Sequence, residues 1–452
     1  SVRTAFAPIT LHHLMTHTAG ITSGVDFAPD GRFQVWALRE TETSVPPGEY
    51  FHHSNVGYKT LSLVLERVAG APYARVVQER ILDPLGLADS VPTITNAVRL
   101  RLAVGYGPRD DDRSWWPGQP LVPATWLETD TGDGCLAMTA ADLATYLRML
   151  LNRGAFPGGR LISEESWALL TGRTVPLGGD PPDAWYGYGI RTREVGTRTV
   201  IGHGGGMVGY FAGMEGDLGS GIGVVALVNG PGSPSLIART AVGALTAAAT
   251  GEPFAFPEPD DPTIVANAAD FVGVYRDAAG GSVAVQEDNG ALFLLDGEDE
   301  IPLRAFGADA FIADHPGWNR FPTHFARAIG PDGGTGEVVE LAHGPRWFAH
   351  ERRPAPSAAG MLEAWRAFTG HYRSHNPWTT DFQIIARQGR LWLALPSEPD
   401  GFAGEQPLVP RGDGSFRAGD DERIPETVSF DTIVEGKALR ARLSFAEYYR
   451  VG

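Results

Sequence analysis

The chain changes its hydrophobic rhythm near residue 250. Before that point, apolar residues recur at helical spacing between short strand-like runs. Tyr58 to Ala69 predicts a helix carried by Leu61, Leu63, Val64, Leu65 and Val68, with Gly70 as its stop. Thr139-Ala140-Ala141-Asp142 predicts the opening of another, continued by Leu143, Tyr146, Leu147, Leu150 and Leu151. Ile222 to Val228 is almost entirely apolar and ends at Asn229-Gly230, the pattern of a buried central strand. Leu236 to Ala249 then reads as a packing helix, with Ser235 as its expected N-cap.

Gly251 to Pro262 is rich in proline and acidic residues and reads as a linker. Beyond it, alternation replaces helical periodicity, and Val283 to Gln286, Ala291 to Leu295 and Thr323 to Ala328 are predicted strands. A repeat emerges there. Phe271-Val272-Gly273-Val274-Tyr275-Arg276 is echoed 97 residues later by Phe368-Thr369-Gly370-His371-Tyr372-Arg373. A strand pair follows each copy, Val285 to Leu295 and Phe382 to Leu395, and Pro354 to Gly360 separates them. The expected organisation is an α+β domain over residues 1–250 and two small antiparallel β-barrels over 263–353 and 361–452. Each Tyr should point into its barrel, with each Gly permitting close strand approach.

Composition narrows the partners. The net charge of −17 disfavours nucleic acid, whose binding needs clustered Lys and Arg. No apolar run approaches the ~20 residues a membrane-spanning helix needs. The single cysteine, Cys135, excludes an intrachain disulfide.

Three segments carry chemistry. They are Leu14-Met15-Thr16-His17-Thr18-Ala19-Gly20-Ile21, then Pro47-Gly48-Glu49-Tyr50-Phe51-His52-His53-Ser54-Asn55-Val56-Gly57-Tyr58, then Ile201-Gly202-His203-Gly204-Gly205-Gly206-Met207-Val208-Gly209. In this order and spacing they resemble the serine beta-lactamase-like hydrolases: class C beta-lactamases, D-Ala-D-Ala carboxypeptidases, D-aminopeptidases and related esterases. The tandem barrels resemble the D-aminopeptidase arrangement and the lipocalin-like tails of related peptidases. The resemblance implies hydrolysis of an amide or ester through an acyl-serine, acting on a small-molecule or peptide substrate without metal or cofactor.

In that family a Ser-x-x-Lys motif supplies the nucleophile several dozen residues before the His-Thr-x-Gly segment. Lysine occurs here only at 59 and 437, and positions 56 and 434 are both Val, so the motif is absent from this chain. The beginning at Ser1, inside a predicted domain, is read as truncation. A complete chain would instead leave the first domain an exposed half-fold with an unpaired sheet edge.

His53-Ser54-Asn55 occupies the family's Tyr-x-Asn position, with His53 where Tyr is expected. A histidine with an ordinary pKa near 6.5 suits general-base work at neutral pH. The same substitution is also compatible with altered activity, or with a polar turn before a helix. Asn55 is either an N-cap or, as the resemblance implies, the amide that orients the base or holds the substrate. His203-Gly204-Gly205-Gly206 matches the family's His-x-Gly wall. Acyl transfer needs a strand edge free of bulk there, and Gly205 and Gly206 supply it, with Gly206 N–H the candidate oxyanion donor. The His-Gly-Gly-Gly oxyanion motif of alpha/beta-hydrolases competes, but its Gly-x-Ser-x-Gly elbow is absent.

His12, His13 and His17 invite a zinc reading, since His13 and His17 are four apart, but no further ligand cluster accompanies them. A structural role is preferred. Gly132-Asp133-Gly134-Cys135-Leu136 resembles the family's Gly-Gly-Leu turn, with Cys135 a small buried residue. Trp115-Trp116 and Trp185-Tyr186 read as packing or as pocket lining. The rival to a hydrolase is a non-catalytic ligand- or partner-binding descendant of the same family.

Overall fold

A computed structural model describes residues 2–24, 30–178, 183–329, 335–356, 363–396 and 404–452. The architecture is α+β: an antiparallel sheet flanked by helices, then two closed antiparallel barrels of eight strands each.

The helix Asn55–Ala69 starts three residues earlier than its periodicity predicts, and Ser54 rather than Asn55 caps it. Ser54 Oγ accepts the Gly57 N–H at 3.1 Å and donates to the Thr22 carbonyl at 2.7 Å. Gly70 ends the helix in the left-handed region, at φ 65°. Its buried stripe is Val56, Lys59 and Ser62, while Val68, expected inside, is 81% exposed. The cause is the turn at 131–134, which packs on the Lys59–Ser62 side. A Cβ on Gly132 would stand 2.9 Å from Ser62 Cβ, and Lys59 Nζ meets Asp133 Oδ2 at 3.1 Å.

The helix Ala140–Leu151 begins as its sequence predicts, with Thr139 Oγ1 accepting the Asp142 N–H at 3.2 Å. The helix Pro234–Thr250 begins two residues before Leu236, after Ser233 rather than Ser235. Proline at a first helical position costs nothing, since its missing N–H would be unpaired there anyway. Ser235 is instead committed to packing: a Cβ on Gly204 would lie 2.9 Å from its Oγ.

The sheet runs in the order 223–228, 210–217, 198–207, 191–195, 184–186, 175–176, all antiparallel. Among the described residues the apolar strand Gly223–Val228 is therefore an edge strand, not the central one its composition predicts. Its apolar character answers to helices rather than to neighbouring strands. On the adjoining strand, Gly213 and Gly216 have opposite parity and so face opposite sides of the sheet. Gly216 and its partner Gly223 admit Leu147 and Leu151, and Gly213 admits the backbone of Pro234 and Ser235. Two helices thus sandwich the edge. Leu82, Leu147, Leu150 and Ile201, each 2% exposed or less, anchor this core. Each such burial is worth about 1.5–3 kcal/mol.

The predicted strands fall at Ser282–Asp288, Ala291–Asp296 and Thr323–Ile329. Gly273–Arg276 opens the first barrel and Gly370–Arg373 the second, and each pairs with its own barrel's last strand, at Tyr275↔His350 and Tyr372↔Arg450. Tyr275 and Tyr372 are both fully buried in their barrel cores. Gly273 and Gly370 share an unusual φ, 152° and 157°, and an added Cβ would strike His350 and Arg450 respectively. The two copies are structurally equivalent, residue for residue, along this strand.

Candidate active site

A small apolar cluster of Leu14, Ala19, Ile21, Ala37, Leu38 and Val56 seats the first turn of the helix Asn55–Ala69. Above it, His17 adopts φ 56° and turns its ring under the His52–Asn55 segment. Its Nδ1 accepts the Ser54 N–H at 2.9 Å, and its carbonyl accepts the His52 N–H at 2.8 Å. Burial, then the nearby His53, His203 and His52, push its pKa down to about 2, so the ring stays neutral. An accepting Nδ1 requires that neutral state. His13 instead completes a capping box with Thr10 on the short helix Leu11–Met15. His13 and His17 share no helix face, because that helix ends before His17. Among the described residues no group of three His, Cys, Asp or Glu is arranged to hold a metal ion.

His53 and His203 belong to one aromatic cluster. The His53 ring lies 4.4 Å from that of His17, which lies 5.2 Å from Tyr186. Tyr186 Oη is in turn 3.0 Å from His203 Nε2. Part of His53 reaches solvent, yet desolvation by the surrounding protein, then His52, hold its pKa below the ordinary histidine value, with Asp133 opposing. Burial, then Arg191, lower His203 to about 4. Both imidazoles are therefore neutral at pH 7. Burial raises the Tyr186 phenol well above its ordinary range, so it remains a donor.

Asn55 and Gly206 line a cleft of about 870 Å³ together with Lys59, Asp133, Trp126 and Met207. Neither His53 nor His203 is among its described lining residues. The strand Arg198–Met207 outruns its neighbour: the last pair on that side is Arg191↔Gly202, which leaves the edge from His203 to Met207 open. Gly205 and Gly206 are exposed on this edge. A Cβ on Gly205 would meet nothing within 4 Å, so packing does not explain its lack of a side chain.

Several contributors were invisible in the sequence. The far wall of the cleft is the second barrel's loop Arg373–Trp378 with Glu447 and Tyr449. Glu426, also from that barrel, accepts the Ser23 N–H at 2.8 Å and lies 3.0 Å from His52 Nε2. Tyr186 had a weak signal only, as half of an aromatic pair. Cys135 is fully buried, its Sγ donating to the Pro92 carbonyl at 3.1 Å, and burial pushes its thiol up to about 12. It is inert at neutral pH.

The chain is similar to several known proteins. Penicillin-binding protein 4 of Amycolatopsis lactamdurans is 28% identical over 292 residues, covering 60% of this chain and 73% of the relative. Protein Rv1367c of Mycobacterium tuberculosis is 29% identical over 178 residues, and the match covers 36% of this chain and 43% of that relative's length. The octameric penicillin-binding protein homologue from Pyrococcus abyssi aligns with 75% of this chain and 78% of its own, at 22% identity and a TM-score of 0.48. The family model described as Beta-lactamase matches residues 2–249. The chain belongs to that family, one of serine hydrolases.

Proposed function

We propose that this chain forms the substrate-binding and proton-transfer side of a serine hydrolase that cleaves an amide or ester through an acyl-serine. The observation that carries the reading is the placement of Asn55 and Gly206 on one cleft beside an open strand edge. A serine brought to this cleft by a Ser-x-x-Lys segment would attack the carbonyl carbon. Its proton would pass to a base, for which His53, neutral at pH 7, is the candidate. Gly206 N–H would hold the oxyanion, Asn55 the acyl amide, and His203, fixed through Tyr186, would back the glycine edge. The leaving group departs protonated, and water then releases the acyl group. Trp126, Trp378, Tyr449 and Arg373 suit a peptide-like substrate, including one carrying D-residues.

One observation favours a ligand-binding descendant instead: His53 stands where the family has Tyr. The test is a chimaera with a family Ser-x-x-Lys segment fused ahead of residue 1, assayed on p-nitrophenyl esters and D-aminoacyl amides. Turnover that is lost when the introduced serine becomes Ala supports the hydrolase. A folded chimaera that binds these compounds without turnover favours the descendant.

A further inference from the structure

The repeated Phe-x-Gly-x-Tyr-Arg strand ends on an arginine in each barrel, yet the two arginines are used differently. Arg276 is exposed, stands opposite Ser282 on the next strand, and enters no ion pair among the described residues. Arg373 stands opposite Asp381 and lines the cleft that holds Asn55 and Gly206. Its guanidinium reaches out of the barrel to the first domain. Nη1 meets Asp111 Oδ1 at 3.1 Å and Nη2 meets Asp111 Oδ2 at 2.6 Å, a two-point pair.

Asp111 belongs to Arg109-Asp110-Asp111-Asp112-Arg113, in the excursion between the short strands Tyr106–Pro108 and Leu121–Pro123. The buried Trp115 and Trp116 follow it. The next residue, Asp112, meets Arg320 of the first barrel at 2.9 Å. Consecutive aspartates of the first domain thus hold one barrel each. Arg373 is continuous with a loop that is hydrogen-bonded as a unit. Ser374 N–H donates to the Thr380 carbonyl at 2.8 Å, Asn376 N–H to Ser374 Oγ at 3.0 Å, and Trp378 N–H to Asn376 Oδ1 at 3.0 Å. Ser374, Asn376 and Trp378 all line the cleft. Where Arg373 is held, that wall is held.

Magnitude separates position from stability here. The Asp111 and Arg373 side chains are 42% and 37% exposed, and ion pairs so accessible to water add little to stability. Two parallel hydrogen bonds nevertheless fix the direction of a guanidinium. Without Asp111, Arg373 keeps Asp381 of its own barrel, 3.5 Å away, so no charge is stranded. We propose that Asp111 is a positioning residue: through Arg373 it sets how far the second barrel's wall stands from Asn55 and Gly206, and so favours substrates whose acyl group reaches that wall. The proposal rests on the reading that substrate occupies this cleft.

Two measurements test it, one of them independent of turnover. Cys135 is buried, so cysteines introduced at the exposed Thr125 and His375 can be spin-labelled selectively. These positions line the cleft from the first domain and the second barrel respectively. Double electron–electron resonance on the full chain should give one narrow distance, broadened by Asp111→Ala but not by Arg276→Ala. In the chimaera carrying Ser-x-x-Lys, Asp111→Ala should raise KM for the p-nitrophenyl ester of N-acetyl-D-phenylalanine at least about fivefold, at unchanged kcat. KM for p-nitrophenyl acetate, whose acyl group carries no side chain, should hold. An unchanged distance distribution would overturn the proposal. So would equal KM changes for the two esters, which a general loosening of the fold would produce. A chimaera without turnover would defeat the hydrolase reading, and the distance measurement would still decide the role of Asp111. If Asp111→Ala fails to fold by circular dichroism, Asp111→Asn, which keeps the shape and removes the charge, takes its place.

Discussion

Glu426 Oε1 of the second barrel lies 3.0 Å from Nε2 of His52, the residue immediately before His53. The same oxygen accepts the Ser23 N–H at 2.8 Å. One carboxylate thus clamps a barrel to two segments that frame the candidate site. Burial alone would raise its pKa, but the His52 contact and the Ser23 N–H outweigh that and hold it below the ordinary glutamate value. A depressed acid contributes stability above its unfolded pKa and loses it as pH falls through the folded one. The clamp should therefore be intact at neutral pH and weaken below about pH 4. Glu426→Gln should cost about 1–3 kcal/mol at pH 7. It should also flatten the acid limb of stability against pH, read by urea midpoints from pH 3 to 7. An unchanged acid limb in the variant would assign the pH dependence elsewhere.

The chain as it stands should not be labelled by a fluorophosphonate, nor hydrolyse nitrocefin above background. No Ser-x-x-Lys is present. Ser54, the serine within the motif, is 3% exposed and its hydroxyl is committed to the Thr22 carbonyl and the Gly57 N–H. Stoichiometric labelling mapped by mass spectrometry to any serine of the chain would show the nucleophile to be misassigned.

In the active chimaera, His53→Ala should lower kcat by on the order of 10²–10⁴-fold if His53 is the base. His53→Tyr should retain activity, as positional equivalence demands. Because the His53 pKa lies below the ordinary value, the base stays neutral, and activity should persist, at pH values under about 6.5. A loss under about threefold for His53→Ala would leave it a turn residue, since a general base contributes far more.

Gly205→Ala separates packing from use of the strand edge. An added Cβ meets nothing within 4 Å, so the thermal midpoint should hold, within the roughly 0.5 kcal/mol expected of neutral surface changes. If substrate lies along that edge, kcat/KM of the chimaera should nevertheless fall. An unchanged kcat/KM would place the substrate elsewhere.

What the sequence made legible was local. The helix cap at Thr139, the stop at Gly70 and the repeated Phe-x-Gly-x-Tyr-Arg strand rest on spacing within a few residues, and the structure keeps each. The edge position of Gly223–Val228 was not legible, because helices on both faces demand the same apolar run that neighbouring strands would. The burial of Lys59 and Ser62 beside an exposed Val68 depends on the turn at 131–134, far along the chain. The clamp between Glu426 and His52 spans 374 residues, and no local pattern announces such a partner. At the candidate site, motif spacing picked out Asn55 and Gly206 but not the barrel loop across the cleft from them.

The paired tyrosines allow a graded test of the barrels. Tyr275 Oη donates to the Phe271 carbonyl at 2.7 Å, and Tyr372 Oη donates to the Phe368 carbonyl at the same distance. Tyr372 carries an additional load: its hydroxyl also accepts from Arg450 Nη2 at 2.9 Å. The two barrels have separate cores and follow a proline-rich linker, so a fragment of residues 263–452 is expected to fold alone as β structure. In that fragment Tyr275→Phe should cost about 0.5–1.5 kcal/mol, one ordinary buried hydrogen bond. Tyr372→Phe should cost more, about 1.5–3 kcal/mol, because the hydrogen bond it removes from the guanidinium is to a charged group. Urea unfolding followed by circular dichroism reads both. Equal losses would show that the Arg450 contact contributes nothing, and a fragment without β structure would show that the barrels depend on the first 250 residues to fold.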